Sequence, residues 1–174
     1  IVTGDWSSDV CSSDLEDWGA YREWHLGVAE ADAIRIRFKN ANVTVDELQV
    51  FGPAERKVNL AHRGTGATVR GFPAEGNEGR NPINRVNDGE FGTMAWRGRV
   101  DKNSKEKPWI QLDLPKREKI DRLRLSSNRE YFFDTDYLTQ KPYLPRYDFD
   151  LEVRQPDGEW KPWVGTWQDR KSVV

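Results

Sequence analysis

Apolar and polar side chains alternate at every second residue in several stretches of this chain, and that period belongs to half-buried β-strands. In Ala33-Ile34-Arg35-Ile36-Arg37-Phe38, the residues Ile34, Ile36 and Phe38 share one face and the two arginines share the other. Trp109–Leu114 sets Ile110, Leu112 and Leu114 against Gln111 and Asp113. In the same way Tyr147, Phe149, Leu151 and Val153 point to one side of their segment. Glu118–Ser126 and Val45–Phe51 read as two further strands; in the second, Leu48 and Val50 lie beside the acidic Asp46 and Glu47, and Gly52-Pro53 stops it. Strands of this kind bury their apolar rows against another layer. The expected fold is therefore all-β, an antiparallel jelly-roll-like sandwich with little helix. Abundant tryptophan and almost no methionine suit such an aromatic-packed protein.

The segments between the strands carry turn chemistry. Asn87-Asp88-Gly89 and Pro156-Asp157-Gly158 each offer a glycine that accepts positive φ next to side chains that bond nearby amides; the second predicts a hairpin. Lys39–Asn42 reads as a turn, Ala61–Pro82 as a long loop with room for one short strand, and Arg97–Lys107 as a polar connection. Gly64-x-Gly66 lacks the strand–helix setting of a nucleotide fingerprint and is read as loop. Trp18, Tyr21 and His25 have helical spacing, so Glu16–Leu26 is either a short helix or an aromatic strand. His25 and His62 have no partner at ligand spacing and are assigned to packing or exposure. Trp160 and Trp163 are expected in the core.

Both ends of the chain are unlike the rest. Asp5–Leu15 and Asp169–Val174 back-translate to stretches that resemble the two partner adapters of a common sequencing library. Residues 1–15 and 169–174 are accordingly left out of fold reasoning, and the native chain is expected to extend past both. Cys11, the single cysteine, falls in the first of these segments, so the remainder offers neither disulfide nor thiol chemistry. The whole chain has 27 basic and 29 acidic residues. Setting aside Arg170 and Lys171, and Asp5, Asp9, Asp14 and Asp169, brings the two into balance, which argues against nonspecific binding to nucleic-acid phosphates. No apolar run approaches the roughly 20 residues of a membrane span. What is left suits one domain of about 150 residues, with residues 33–168 as its sandwich and 16–32 as a fragment of a preceding region.

Two places carry candidate chemistry. Asp88 and Thr93 stand five residues apart with backbone carbonyls between them, a plausible oxygen cage for a hard cation such as calcium. The competing reading is a tight turn leading to a core Trp96. The second place is the Asn128–Pro145 loop, with Arg129, Tyr131, Phe132, Phe133, Tyr137 and Tyr143. Aromatic rings stack on the apolar faces of sugars, while Arg129, Asp134 and Asp136 can bond hydroxyls. The same rings could instead pack the loop onto the sandwich. Asp134 and Asp136, two apart in a loop, do not establish the carboxylate separation of a glycosidase, and the chain has no Ser-His-Asp set, HExxH or phosphate loop. No enzyme is expected.

The Asp-Gly-x-x-x-Thr turn at Asp88–Thr93, the Trp96 after it and the Trp109-Ile110-Gln111-Leu112-Asp113-Leu114 strand together resemble the discoidin, or coagulation-factor type C, domain. Family 32 carbohydrate-binding modules belong to the same galactose-binding-like group. The resemblance runs from Asn59 to Val164, through Ile120–Ser126 and Tyr147–Val153 to the Asp157-Gly158-Glu159-Trp160 hairpin. It implies a structural calcium ion at Asp88, a carbonyl near Glu90, and Thr93. It also implies a non-catalytic carbohydrate-binding or adhesion module of a larger, secreted bacterial protein. Its partners would be a glycan or cell-surface polysaccharide and other domains of the same polypeptide. Arg129, Tyr131, Phe132 and Tyr143 are the expected ligand contacts. The alternative is a purely architectural, or protein- or lipid-binding, module within a multidomain enzyme.

The chain departs from the family in its strand order. Ala33–Phe51 resembles the family's closing strands yet precedes Asn59-Leu60-Ala61, which resembles the first. Either these strands end a preceding copy, or the domain is permuted and they complete it. The short Gly52–Asn59 link favours the second, which brings Glu47 to Asp88 as a further calcium ligand.

Overall fold

The computed structural model describes residues 22–54, 57–74, 82–90, 96–126 and 148–164, which contain eight strands. In chain order these are β1 (Arg22–Phe38), β2 (Asn42–Val45), β3 (Glu47–Phe51), β4 (Thr68–Phe72), β5 (Trp96–Arg99), β6 (Trp109–Ser126), β7 (Phe149–Arg154) and β8 (Trp160–Pro162). Single 3-10 turns at Arg63–Thr65 and Ile83–Arg85 are the helical elements among the described residues. Every strand pair is antiparallel. The protein is an all-β sandwich. No helix among the described residues is long and apolar enough to cross a membrane.

The larger sheet has the order β3-β6-β1-β7-β8, with β4 also on β6; β2 and β5 form a second, two-stranded sheet. The central strand β6 serves two partners along one edge. β4 lies against Trp109–Asp113 and β3 against Arg122–Ser126. β1 follows the opposite edge from Arg22, facing Leu125, to Arg37, facing Trp109. The residues from Arg22 to Ala31, set apart on sequence as a fragment of a preceding region, are thus continuous with the strand that holds Ile34 and Ile36.

A break in alternation hides this continuity. Ala33 faces Asp113 but Ala31 faces Glu118, so residues 114–117 bulge opposite Asp32. Pro115 sits in that bulge, where its missing N–H costs no ladder bond. Arg117, re-aimed by the bulge, bonds Asp32 Oδ2 at 2.8 Å. A second bulge lies between His25 and Ala29. Read by period alone, each long strand looks like two short segments. The helical spacing of Trp18, Tyr21 and His25 is likewise overridden where the chain is described: Arg22–His25 is extended and paired with β6.

The apolar rows meet where expected. Ile34, Ile36 and Phe38 of β1, Leu48 and Val50 of β3, and Ile110, Leu112, Ile120, Leu123 and Leu125 of β6 are buried in one cluster. Val43, Val45 and Trp96 cover it from the smaller sheet, with the Trp96 and Phe38 rings 6.5 Å apart. At roughly 1.5–3 kcal/mol per large side chain, this cluster is the main source of stability. Asp46, between β2 and β3, is where the chain passes from one sheet to the other; its N–H bonds Ser126 O at 2.9 Å. The single strand expected over Val45–Phe51 is therefore interrupted. Residues 97–99, expected in a polar connection, belong to β5, because the buried Trp96 anchors a strand whose remaining residues are two arginines and a glycine.

Candidate functional site

The turn between the Ile83–Arg85 helix and Glu90 is held from three directions. Leu48 N–H donates to Val86 O at 2.6 Å, tying the turn to β3. The buried Asn87 donates from Nδ2 to Ala61 O at 2.8 Å and accepts the Arg63 N–H on its backbone carbonyl at 2.8 Å. Gly89 has φ 87°, a left-handed conformation that glycine adopts without strain. Glu90 N–H then donates to Asp88 Oδ1 at 3.0 Å, the aspartate-on-backbone bond expected of an Asp-Gly turn.

Glu47 comes to this turn from β3. Gly89 N–H donates to its Oε1 at 3.1 Å, and Gln49 Nε2 approaches the same oxygen at 3.4 Å. Glu47 is only 1% exposed, and its other oxygen, Oε2, is buried and has no hydrogen-bond partner among the described residues. Burial pushes this carboxyl up to about 9; the nearby charges of Asp88 and Asp46 add to the effect, while the Gly89 and Gln49 donors oppose it. The Asp88 side chain is 4% exposed, and its Oδ2 lies 3.9 Å from Arg63 Nη1. Two buried carboxyls thus meet where β3 reaches this turn, and the exposed Arg63 makes a long contact with one of them.

Of the residues expected to ligate calcium, Glu47 and Asp88 belong to one turn-and-strand junction, and Glu90 contributes its backbone N–H to the Asp88 side chain. Thr93 lies outside the described residues. Among the described residues, no group of three histidine, cysteine, aspartate or glutamate side chains converges as a ligand set. Arg129, Tyr131, Phe132 and Tyr143 also lie outside the described residues, as do Asp134 and Asp136.

His62, assigned on sequence to packing or exposure, is part of the site. Its Nδ1 accepts the Gly64 N–H at 3.0 Å, so its proton is on Nε2, which donates to Asp88 O at 2.9 Å. Spacing could not reveal this, because the partner is a backbone carbonyl 26 positions away.

Trp160 corrects another expectation. It is half-buried on the outward face of the sheet, where the Arg35 guanidinium stacks 3.9 Å from its ring centroid, whereas Trp163 is in the core as expected. Arg35 donates from Nε and Nη2 to Gln111 Oε1, and Gln111 Nε2 donates to Asp113 Oδ1 at 2.9 Å. Nearby, Asp32 takes Arg154 Nε at 2.7 Å and Arg117 Nη2 at 2.8 Å. Partial burial acts to raise the Asp32 carboxyl, but the two guanidiniums outweigh it and hold it below the usual carboxylate range. This outward layer is a cross-strand lattice of facing cations and anions.

No protein-family profile, curated protein or solved structure matches the chain.

Proposed function

We propose that this chain is a non-catalytic binding module whose sandwich is stabilised by calcium at the Asp88–Gly89 turn. The observation that carries the reading is the buried Oε2 of Glu47, which has no hydrogen-bond partner among the described residues and lies beside the buried Asp88 carboxyl. A buried carboxylate oxygen needs a donor or a cation. Calcium accepts carboxylate and carbonyl oxygens in flexible geometry, which suits a turn of this composition. Glu47 and Asp88 would hold it, with Thr93 and a carbonyl near Glu90 as further proposed oxygens. The ion would neutralise the two carboxyls and tie the turn to β3, with no catalytic role.

The ligand class rests on the resemblance to discoidin-like and family 32 modules. It is a glycan or cell-surface polysaccharide, met by Arg129, Tyr131, Phe132 and Tyr143, at an extracytoplasmic location. Weak binding by such a module becomes useful when other domains of the same polypeptide raise its effective concentration. Thermal unfolding of a chain without residues 1–15 and 169–174, with calcium and with chelator, tests the cation. A higher Tm in calcium that disappears in Asp88→Ala supports it, and an unchanged Tm overturns it. Glycan-array and liposome binding in parallel test the ligand. Glycan binding lost in Tyr131→Ala at unchanged Tm supports the carbohydrate reading, whereas liposome binding alone or no binding at all overturns it.

A further inference from the structure

His62 and Glu47 lie on opposite sides of one peptide unit. In a trans peptide the C=O and N–H of the same plane point in opposite directions. The Asp88 carbonyl accepts the His62 Nε2–H at 2.9 Å, and the N–H of the same unit, on Gly89, donates to Glu47 Oε1 at 3.1 Å. The imidazole is itself set by the Gly64 N–H on Nδ1. Gly64, His62, the Asp88–Gly89 peptide and Glu47 thus form one aligned chain of donors and acceptors, each bond polarising the next. At its end, one carboxylate oxygen is occupied and the other, Oε2, is buried with no hydrogen-bond partner among the described residues.

We infer that His62 is a positioning residue for the cation site: by holding the Asp88 carbonyl it keeps the Gly89 N–H on Glu47 Oε1 and so presents Oε2 to the ion. This rests on the calcium reading above. Without the imidazole, the peptide between Asp88 and Gly89 loses one of the bonds that oppose its rotation, another being the Gly89 N–H on Glu47 Oε1. Gly89, at φ 87°, offers little steric resistance to that rotation. A rotated unit would turn its carbonyl toward Glu47 and remove the donor that orients the carboxylate. The ring also occupies the space beside Gly89, where an added Cβ would meet His62 Cδ2 and Nε2 at 3.2 Å. The imidazole thus acts on both the direction of the peptide and the space beside it.

The test compares the whole chain with His62→Ala and His62→Gln by thermal unfolding in chelator and across a calcium titration. Gln places an N–H close to where Nε2–H stands. The expected result is a roughly tenfold or larger loss of calcium affinity in His62→Ala, with recovery in His62→Gln. A purely structural role for His62 would lower Tm equally with and without calcium and leave the affinity unchanged, which overturns the inference. If the wild-type chain shows no calcium response, the cation reading and this inference fall together. A wild-type response retained in full by His62→Ala removes the inference alone. Should His62→Ala fail to fold, His62→Phe, which fills the ring space without the donor, takes its place under the same criteria.

Discussion

Arg35 is stacked on Trp160, its guanidinium carbon 3.9 Å from the ring centroid and 5.8 Å from that of Trp109. The two indoles come from strands on either side of β1, so one cation joins β6, β1 and β8 across the outward face of the sheet. A stacked guanidinium contributes about 0.5–2 kcal/mol. Trp160→Ala should therefore lower unfolding free energy by about 1–2 kcal/mol. Trp163→Ala, which empties a core position and removes the Nε1–H bond to Gly27 O, should cost about 3–5 kcal/mol. Urea unfolding of both variants checks the order; equal losses would place Trp160 in the core after all.

Gly52 marks a close approach of two backbones. A Cβ built there would lie 2.4 Å from Lys119 O, and neither group is a side chain that can swing aside. Gly52→Ala should cost about 1–3 kcal/mol through displacement of the β3–β6 contact. Gly158 is the control: its φ is 85°, but nothing among the described residues lies within 4 Å of an added Cβ, so Gly158→Ala should show only the conformational cost of about 1 kcal/mol. Chemical denaturation distinguishes the two, and a larger loss at Gly158 would contradict the packing.

The Glu47 carboxyl gives stability a pH dependence of fixed sign when no cation is bound. Its folded value of about 9 exceeds its ordinary 4.5, so between these the folded protein keeps a proton that the unfolded chain has released. Its contribution is greatest below pH 4.5 and is lost as pH rises toward 9, with a limiting slope of about 1.4 kcal/mol per pH unit. In chelator, the unfolding free energy should therefore fall by about that amount for each pH unit between pH 6 and pH 8. Glu47→Gln should flatten the curve. An unchanged slope in Glu47→Gln would show that Glu47 is not the group responsible.

Asp32 acts in the opposite sense at the acid end. Held below its ordinary 3.8 by Arg154 and Arg117, it stabilises the fold above that value, and this contribution is lost as pH falls through its folded value. Asp32→Asn keeps the shape but leaves two guanidiniums without their shared anion. The expected cost at neutral pH is about 1–3 kcal/mol, shrinking under acid conditions because wild-type Asp32 is then protonated too. Denaturation at pH 7 and below pH 3 provides the check; a difference constant with pH would sink the ion-pair account.

Local chemistry in this chain was decisive wherever one segment could settle its own state. The alternation through Ile34, Ile36 and Phe38, and through Ile110 and Leu112, determined strands and their buried faces. The Asp-Gly pairs at 88–89 and 157–158 determined turns, and Gly89 and Gly158 have the positive φ those turns demand. Even the meeting of Glu47 with the Asp88 turn could be expected from the order of strand motifs. Trp160 could not be placed that way, because alternation defines two faces without saying which one an indole prefers when Arg35 waits on the outer side. Nor could β5, whose two arginines and glycine show no apolar period, or the continuity of β1 and β6 through their bulges. These were decided by pairing between distant segments. Only the assembled sheet shows what Pro115, Arg117 and His62 face. Their partners are backbone groups and side chains far along the chain, and no local period records them.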